Sequence, residues 1–328
     1  METNNNKKPR FFTGITATGN LTLGHYLGII KHVLKIQNDY EVIIMIGDLH
    51  AITIPNKEIN IFENSRRIAA LLYSCGLNEN CKVFIQSQII EHLELANFLS
   101  PHITVSALSN MIQYKEKKKS KESGNLSLLS YPILMASDIF LYDPDLVIVG
   151  KDQEQHLELA GDVANKFNCF YEKDILKIPN FSIPVFGSKI MGLKNPLKKM
   201  SKSENDFISL TEDSKIIEKK IIEATTDSEN KIYFDSEKKP GISNILTIHS
   251  LLSNKSVELL EKEFEGSNYH QLKLSLSEIL KGEIEKIKEN YNQISPKIEG
   301  ILDLNCKYLQ EIAREKIIKI KKEIKLIA

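Results

Sequence analysis

The sequence predicts an α/β fold with a parallel sheet, followed by an all-α region. Segments typical of strands and helices alternate through the first two-thirds of the 328 residues, and strand signals vanish after about Thr211. Strands that alternate with helices indicate a parallel sheet with right-handed crossovers. A content of 42% hydrophobic and 26% charged residues is typical of a globular protein and argues against a disordered or fibrous chain.

The predicted strands are short and lie in the first half of the chain. Residues 41–47 form a continuous, largely β-branched apolar run, as expected of a strand that is buried on both faces. Further strands are predicted at residues 11–14, 82–86 and 145–150. In parallel sheets, ligands bind beyond the carboxyl ends of the strands, at the switch point of the topology.

Helices are predicted between these strands. Apolar residues have helical spacing at 23–37 and 58–75, and Gly76 follows the second segment, where a helix would end. Residues 91–143 interrupt the rhythm of the strands. They predict a helical insertion that carries a charged segment at 115–122.

The last third of the chain predicts amphipathic helices at residues 258–265, 272–287 and 309–327, all rich in Lys, Glu, Ile and Leu. The change of pattern places a domain boundary near residues 208–211. Within the last helix, the basic run 314–325 fits either a phosphate-contacting face or a solvated surface.

Composition limits the classes of function and location. The 43 Lys and Arg balance the 43 Asp and Glu, so any contact with nucleic acid must come from a local basic patch. No apolar run reaches the roughly 18 residues of a membrane span, and the first ten residues lack an apolar signal core. The cysteines show no Cys-x-x-Cys pair and no zinc-ligand spacing, which favours reduced thiols in the cytoplasm and predicts no metal site. They are Cys75, Cys81, Cys169 and Cys306.

Residues 16–28 are the first candidate for chemistry, because they follow a strand and open a helix. Gly24 allows a ligand to approach the backbone closely, and the start of the helix offers N–H groups to an anion. His25 supplies a donor for a phosphate or a ribose. Taken alone, a Gly-His pair at a helix start is explained equally well by a structural cap.

Lys199-Met200-Ser201-Lys202-Ser203 is the second candidate, and it follows a segment punctuated by Gly and Pro. Ammonium groups on a loop can stabilise the negative charge that develops on a leaving pyrophosphate. A short run of Lys and Ser is by itself more often a solvated loop. Its pairing with a Gly-His helix start near the N-terminus favours the functional interpretation.

These motifs resemble those of a known family. Thr22-Leu23-Gly24-His25 is similar to the HIGH signature of the class I aminoacyl-tRNA synthetases, and residues 199–203 spell their KMSKS loop in full. The closer resemblance is to the tryptophanyl-tRNA synthetases, and it covers nearly the whole chain, weakening after about Ser253. The blocks similar to that family are residues 47–53, 131–142, 150–159, 189–193 and 239–244.

The sequence departs from the family pattern at three places. Thr22 replaces the first His of the signature, a change that this family often carries. Thr16-Ala17-Thr18 replaces the usual Gln-Pro-Ser, and Lys151 replaces the usual acidic residue. A contact of Lys151 with ATP would therefore run through its backbone.

The resemblance implies a Rossmann-like catalytic domain at residues 1–208, whose helical insertion at about 91–143 makes dimer contacts, and an α-helical tRNA anticodon-binding domain at residues 209–328. It implies a tryptophan–tRNA ligase that activates L-tryptophan with ATP, releases pyrophosphate, and transfers the tryptophanyl group to the 3′ end of tRNA(Trp). Such chemistry depends mainly on positioning and charge stabilisation. The expected protein is a cytoplasmic homodimer without a membrane segment, and its Mg²⁺ is bound with ATP rather than at a dedicated protein site.

The resemblance also assigns roles to residues. Thr22, His25, Lys199 and Lys202 are the expected catalytic residues, with the two lysines on the leaving pyrophosphate, and Lys115 is a candidate for a further cation. Backbone groups of two residues of the ATP site, at positions 190 and 200, are expected to contact adenine. The expected ATP-binding residues are Thr16, Ala17, Thr18, Gly24, His25, Gly150, Lys151, Asp152, Ile190, Lys199, Met200, Ser201, Lys202 and Ser203.

The choice of amino acid follows from counting donors and acceptors on indole. Its one N–H needs an acceptor when it is buried, and Asp138 matches the family's position for that acceptor. Phenylalanine would leave this carboxylate poorly paired, at a cost of about 1–3 kcal/mol, whereas tyrosine must be rejected by the shape of the cavity. His50 has a substrate-side role or is a capping or core histidine. The other expected tryptophan-binding residues are the apolar Phe12, Met135, Val147 and Val149, and Tyr131 and Gln153, which match positions that hold the α-amino group.

Three other functions share some of these features. A tyrosyl-tRNA synthetase has the same fold and both signatures, but residues 150–159 and the context of Asp138 argue against it. A small nucleotidylyltransferase shares the Gly-His helix start but lacks a helical C-terminal domain of this size. A non-catalytic synthetase-like tRNA-binding protein would show degenerate signatures, whereas His25 and both lysines of the loop are present.

Overall fold

The computed structural model describes residues 8–119, 124–150, 153–182, 189–201 and 205–328. Part of the charged segment predicted at 115–122 is therefore not described. The predicted site residues that lie outside the described residues are Lys151, Asp152, Lys202 and Ser203.

A five-stranded sheet forms the centre of the described structure. Its order is β3-β2-β1-β4-β5, and every neighbouring pair is parallel, which confirms the predicted fold class. The prediction for β2 is correct at both ends, whereas β5 was not predicted. The chain adds strands on one side of β1 and then on the other, so the switch point lies between β1 and β4. The strands are β1 Arg10–Thr16, β2 Glu41–Gly47, β3 Cys81–Ile85, β4 Leu146–Ile148 and β5 Asn180–Ser182.

The helices of the first β-α units are α1 Leu23–His25, α2 Lys31–Ile36, α3 Asp48–Ala51 and α4 Ile61–Ser74. The single helix predicted at 23–37 contains one π-helical turn, Tyr26–Ile30, between α1 and α2. Such turns often lie at functional sites. Asn60 caps α4 by accepting a hydrogen bond from the Glu63 N–H, and Gly76 follows that helix at a φ of +107°. A glycine adopts this left-handed backbone without a steric cost.

The predicted helical insertion is present between β3 and β4. It contains α5 Glu91–Leu99, α6 Val105–Ser109, α7 Ile112–Lys119 and α8 Leu126–Phe140, and α9 Glu154–Tyr171 follows β4. Asn125 caps α8 by accepting a hydrogen bond from the Leu128 N–H. Helix α8 packs against α5 and α9, which fixes the orientation of its inward-facing side chains.

The last third of the chain is helical, as predicted. It contains α10 Ser214–Ile222, α11 Pro240–Ser253, α12 Val257–Glu263, α13 Tyr269–Ile294 and α14 Ile298–Glu323. Helix α13 begins with a capping box between Asn268 and Gln271, so it extends beyond the predicted 272–287 at both ends. None of the described helices is long and apolar enough to cross a membrane.

Two buried clusters cover the two faces of the sheet. Successive side chains of a strand point to opposite faces, so Phe11 and Ile44 pack with α4, α11 and α13, whereas Phe12 and Ile43 pack with α8, α9 and α14. The described part is thus a three-layer α/β/α arrangement. Both faces of the central strands are buried, which explains their continuous apolar sequence.

Helix α14 returns to the sheet half of the molecule. Leu309 and Ile317 lie in the same buried cluster as Phe12, and the buried Lys316 donates a hydrogen bond to the Ile175 carbonyl. The structure thus pairs several cations of the basic run 314–325 with acids, which favours packing over phosphate contact for these residues. The domain boundary near 208–211 stays a prediction. The ion pairs are Arg314–Glu91 at 3.3 Å, Lys316–Asp143 at 2.6 Å and Lys321–Glu94 at 2.6 Å.

Candidate active site

A cavity of about 600 Å³ lies at the carboxyl ends of β1, β2 and β4. The end of β1 contributes Thr16, the end of β2 contributes Gly47, and Val149 and Gly150 follow β4. This is the switch point of the sheet, where ligands bind in open α/β folds. The cavity is therefore the candidate active site.

The predicted residues are distributed unevenly around this cavity. All eight predicted tryptophan-binding residues line it, and of the ten predicted ATP-binding residues that the structure describes, five do: Thr16, Thr18, His25, Gly150 and Lys199. Ala17 is fully buried in the core, so it offers no side-chain surface to a ligand. Lys115 lies on α7, two residues after the lining residue Gln113, but does not itself line the cavity. The predicted residues that line the amino-acid part are Phe12, His50, Tyr131, Met135, Asp138, Val147, Val149 and Gln153.

Asp138 is buried on α8 with 1% of its surface exposed, and its carboxylate accepts three hydrogen bonds. His50 Nε2 lies 2.7 Å from Oδ2, while His92 Nδ1 at 2.7 Å and Gln86 Nε2 at 2.8 Å both approach Oδ1. Burial alone would raise the pKa of this carboxyl group, but the hydrogen bonds from His50 and His92 lower it to about 2. Asp138 is therefore ionised at neutral pH. We call Asp138 and its three partners the acidic end of the cavity.

Sequence reasoning missed His92 and Gln86. Gln86 directly follows β3, and the carboxyl end of a strand is a signal that could have found it. His92 lies on α5 and is fully buried, with Nε2 at 2.9 Å from the Tyr142 hydroxyl. One histidine among apolar helix positions gives no such signal.

The walls of the cavity near Asp138 are apolar. Phe12 pairs with Val147 across β1 and β4, and Met135 lies one helical turn before Asp138 on α8. The Phe12 ring also stacks on Tyr142, with ring centroids 6.0 Å apart. A charged acceptor at the end of an apolar space suits a flat, apolar ring that carries one polar hydrogen.

Polar groups gather at another side of the same cavity. The Tyr131 hydroxyl donates a hydrogen bond to Gln113 Oε1 at 3.0 Å and contacts His156 Nε2. The His50 ring meets Tyr131 edge-on, with centroids 6.3 Å apart. Gln113 and Gln153 also line the cavity, so this side presents amide carbonyl and hydroxyl oxygens, the kind of acceptor that an ammonium group binds.

His25 lines another part of the same cavity, which we call the signature end, and is fixed there by Thr22. The Thr22 N–H donates to His25 Nδ1 at 3.2 Å, and the Thr22 hydroxyl lies 2.8 Å from the same atom. Because an amide N–H can only donate, Nδ1 accepts, and the proton of the neutral ring is on Nε2. A Cβ at Gly24 would meet only Thr22 Oγ1, at 3.6 Å, so packing within the protein does not require glycine there.

The signature segment and the lysine loop are joined through the backbone. The Leu23 N–H donates to the Ile208 carbonyl at 2.8 Å, and the Leu210 N–H donates to the Leu21 carbonyl at 3.0 Å. Ile208 lies five positions after Ser203, the last residue of the loop. This pairing holds residues 208–210 beside the start of α1, and Lys199 of the loop is exposed and lines the cavity.

The lysine loop has a rigid base. The Met200 N–H donates to the Ile190 carbonyl at 2.9 Å, and both side chains are buried in the core. That N–H is thus already paired, which leaves less backbone for the predicted adenine contact. Asp206 closes the turn, because its carboxylate accepts hydrogen bonds from the N–H groups of Leu193, Lys194 and Asn195.

Helix α11 holds the same loop from the helical region. Asn244 forms two hydrogen bonds to the backbone of Met191, both at 3.0 Å, one to the N–H and one to the carbonyl. A Cβ at Gly241 would lie 2.1 Å from the Thr225 carbonyl oxygen, so glycine is required at that contact. The block at residues 239–244 therefore positions the base of the loop, a role that the sequence did not reveal.

Metal ligands and disulfides are not evident in the part of the chain that the structure describes. No group of three or more His, Cys, Asp and Glu side chains among the described residues could hold a metal ion. All four cysteines are free thiols.

Comparison with known proteins identifies the family. A model of the family "tRNA synthetases class I (W and Y)" matches residues 3–283. The chain belongs to this family. A tryptophan–tRNA ligase of Halalkalibacterium halodurans is 41% identical over 325 residues, which cover 97% of this chain and 98% of that protein. The predicted resemblance is thereby confirmed.

Solved structures agree with this assignment. The tryptophanyl-tRNA synthetase of Mycoplasma pneumoniae superposes with a TM-score of 0.88 at 33% identity, covering 97% of each chain. The enzyme of Campylobacter jejuni, solved in complex with ADP and tryptophan, gives a TM-score of 0.81 at 31% identity, covering 96% of this chain and 99% of that one. The class I synthetase fold therefore extends over nearly the entire chain.

Proposed function

We propose that this protein is a tryptophan–tRNA ligase, which forms tryptophanyl-adenylate from L-tryptophan and ATP and then aminoacylates the 3′ end of tRNA(Trp). The observation that carries the proposal is the ionised, buried Asp138 at the end of an apolar cavity whose other end holds His25 and Lys199. An amino acid with one ring N–H and a nucleotide can occupy such a cavity together.

The amino-acid substrate would bind with its indole ring at the acidic end. Asp138 would accept the ring N–H, and the apolar side chains Phe12, Met135 and Val147 would contact the faces of the ring. Tyr131 and Gln153 would hold the α-amino group. The side chains then select by hydrogen bonding and by shape, as binding sites for similar amino acids must.

The nucleotide would bind at the signature end. His25 would donate from Nε2 to a ribose or phosphate oxygen, and Gly24 would let the nucleotide approach the backbone. Lys199 and Lys202 would stabilise the negative charge on pyrophosphate as the tryptophan carboxylate attacks the α-phosphate. Mg²⁺ would arrive with ATP as part of the substrate, and Lys115 stays a candidate for a further cation.

The larger assembly follows from the same proposal. We propose that residues 209–328 bind the anticodon arm of tRNA(Trp), that residues 91–143 carry the contacts of a homodimer, and that the enzyme works in the cytoplasm, where tRNA is aminoacylated. The exposed apolar side chains Ile90, Val105 and Ile112 in or beside the insertion support the dimer contacts.

ATP–pyrophosphate exchange tests the proposal directly. Purified protein should catalyse exchange that depends on tryptophan, and tyrosine should give at most a small fraction of that rate. The chain has no tryptophan and 11 tyrosines, so fluorescence excited at the red edge will report the bound amino acid. Exchange that depends on tyrosine instead of tryptophan would refute the specificity.

A further inference from the structure

The hydrogen bonds of Asp138 leave one acceptor position open. An ionised carboxylate has about four lone-pair positions. On Asp138, Oδ1 accepts from Gln86 and His92, and Oδ2 accepts from His50. One position therefore remains, on Oδ2, and both Asp138 and His50 line the cavity.

The donor and acceptor roles in this hydrogen-bond network follow one direction, from Tyr142 through His92 to Asp138. A carboxylate can only accept, so His92 must donate from Nδ1 to Oδ1. In a neutral ring, His92 Nε2 then accepts, and its partner at 2.9 Å is the Tyr142 hydroxyl, which donates. Tyr142 thereby fixes the tautomer of His92, and His92 fixes Oδ1 of Asp138.

The orientation of His92 is held by packing as well as by hydrogen bonds. Its ring stacks on Phe84 of β3, with centroids 5.7 Å apart and an angle of 20° between the planes. Phe84, His92 and Tyr142 are all fully buried. Because no ring in this group can turn without losing contacts, Oδ1 is paired before any substrate enters.

We propose that His92 is a positioning residue for amino-acid selection: together with Gln86 it saturates Asp138 Oδ1, so that Asp138 offers a single acceptor, on Oδ2, to a ligand that carries one ring N–H. The inference rests on the proposed function, because it assumes that Asp138 contacts the substrate ring. Indole has a donor and no acceptor on that ring. A protonated carboxyl group would present an O–H donor, with which the ring N–H cannot form a hydrogen bond. The donors that keep Asp138 ionised therefore also keep the site selective.

Two polar substitutions separate this role from a structural one. In His92→Asn, the amide nitrogen takes the place of Nδ1 and can still donate to Asp138. In His92→Gln, the amide takes the place of Nε2 and reaches towards Tyr142 instead. Both variants bury a similar polar group, so each is a matched control for the other, and thermal unfolding will show that both fold.

The substrates for the test are L-tryptophan and 3-(3-benzothienyl)-L-alanine, in which sulfur replaces the ring N–H. The measurement is kcat/KM for each in ATP–pyrophosphate exchange. We expect the preference of the wild type for tryptophan to fall about tenfold or more in His92→Gln, mainly through KM for tryptophan, and to stay within about threefold in His92→Asn. The acid limb of kcat/KM for tryptophan should also move to higher pH in His92→Gln, because loss of a donor raises the pKa of Asp138.

Equal losses for both substrates in His92→Gln, or equal behaviour of the two variants, would overturn the inference and leave a structural role only. The wild type separates this outcome from failure of the proposed function. Exchange with tryptophan in the wild type supports the function whatever the variants do, and its absence refutes both.

Discussion

The two ends of the cavity hold their charged groups in different ways. At the acidic end, the charge of Asp138 is buried and held by three donors from separate elements. At the signature end, the charge of Lys199 is exposed on a loop whose base is fixed by Asp206 and Asn244. A group that selects a substrate must be in place before the substrate binds. A group that stabilises a leaving anion acts in the transition state, so its side chain must be able to extend to that anion.

Removing the charge at the acidic end should have the largest effect. In Asp138→Asn, the amide nitrogen would face His50 in one orientation, or Gln86 and His92 in the other, and either arrangement breaks a buried network. We expect kcat/KM for tryptophan to fall by about a thousandfold, while the affinity for ATP changes less than about twofold. Exchange kinetics and ATP titration measure these values. Asp174→Asn, at an exposed acid, is the control, and a loss below about tenfold in Asp138→Asn would contradict the fixed-acceptor role.

Removing a cation at the signature end should affect rate rather than binding. We expect Lys199→Ala to lower kcat for activation by about a hundredfold and to leave the Kd for tryptophan within about twofold, because the charge matters mainly in the transition state. Lys202→Ala should behave similarly. Lys198→Ala, at the neighbouring exposed lysine, should change kcat little. If Lys199→Ala weakened tryptophan binding as much as it lowered kcat, the proposed difference between the two ends would be contradicted.

Acid should destabilise the protein partly through Asp138. The pKa of this group is lowered from 3.8 to about 2 in the folded protein. Its contribution to the free energy of unfolding is therefore fully present at pH values above the pKa of the unfolded chain, and it is lost as the pH falls towards the pKa of the folded protein. That contribution is about 2 kcal/mol. Urea unfolding measures the free energy of unfolding of the wild type and of Asp138→Asn. The difference between the two should be smaller at acid pH than at neutral pH by this amount. A pH-independent difference would mean that Asp138 is not ionised.

The smallest expected effect is at Gly24. The protein leaves room for a methyl group there, since the nearest atom would be Thr22 Oγ1 at 3.6 Å. We expect Gly24→Ala to weaken ATP binding about tenfold, because the methyl group would occupy space next to the nucleotide, without lowering the thermal midpoint. Gly161→Ala on α9 has no atom within 4 Å of the new Cβ and should leave ATP binding unchanged. Unaltered ATP affinity in Gly24→Ala would favour the structural cap.

The sequence predicted best what local pattern determines. The apolar run at residues 41–47 predicted both ends of the buried strand β2, and His25 of the Gly-His helix start lines the cavity. Strand β5 was missed because it has three residues, two of them polar. The π-turn at Tyr26–Ile30 was missed because apolar residues there still fit an ordinary helical period.

The support of the site could not be predicted in the same way. His92 and Gln86 reach Asp138 across 46 and 52 residues of sequence, and Asn244 reaches Met191 across 53. Each of these contacts depends on how whole helices and strands pack. One sequence gives no local pattern that indicates which distant residues will meet. The resemblance to a family named residues that are expected to contact substrates, but not the residues that hold those side chains in place.

Helix α14 has a consequence for how the molecule is made. Its Leu309 and Ile317 share a buried cluster with Phe12 of β1, whose ring also forms a wall of the cavity. The first strand leaves the ribosome long before that helix does. During synthesis, α8 and α9 precede α14 and supply their part of this cluster first, so the packing behind Phe12, and with it the support of that wall of the cavity, is complete only once α14 has emerged.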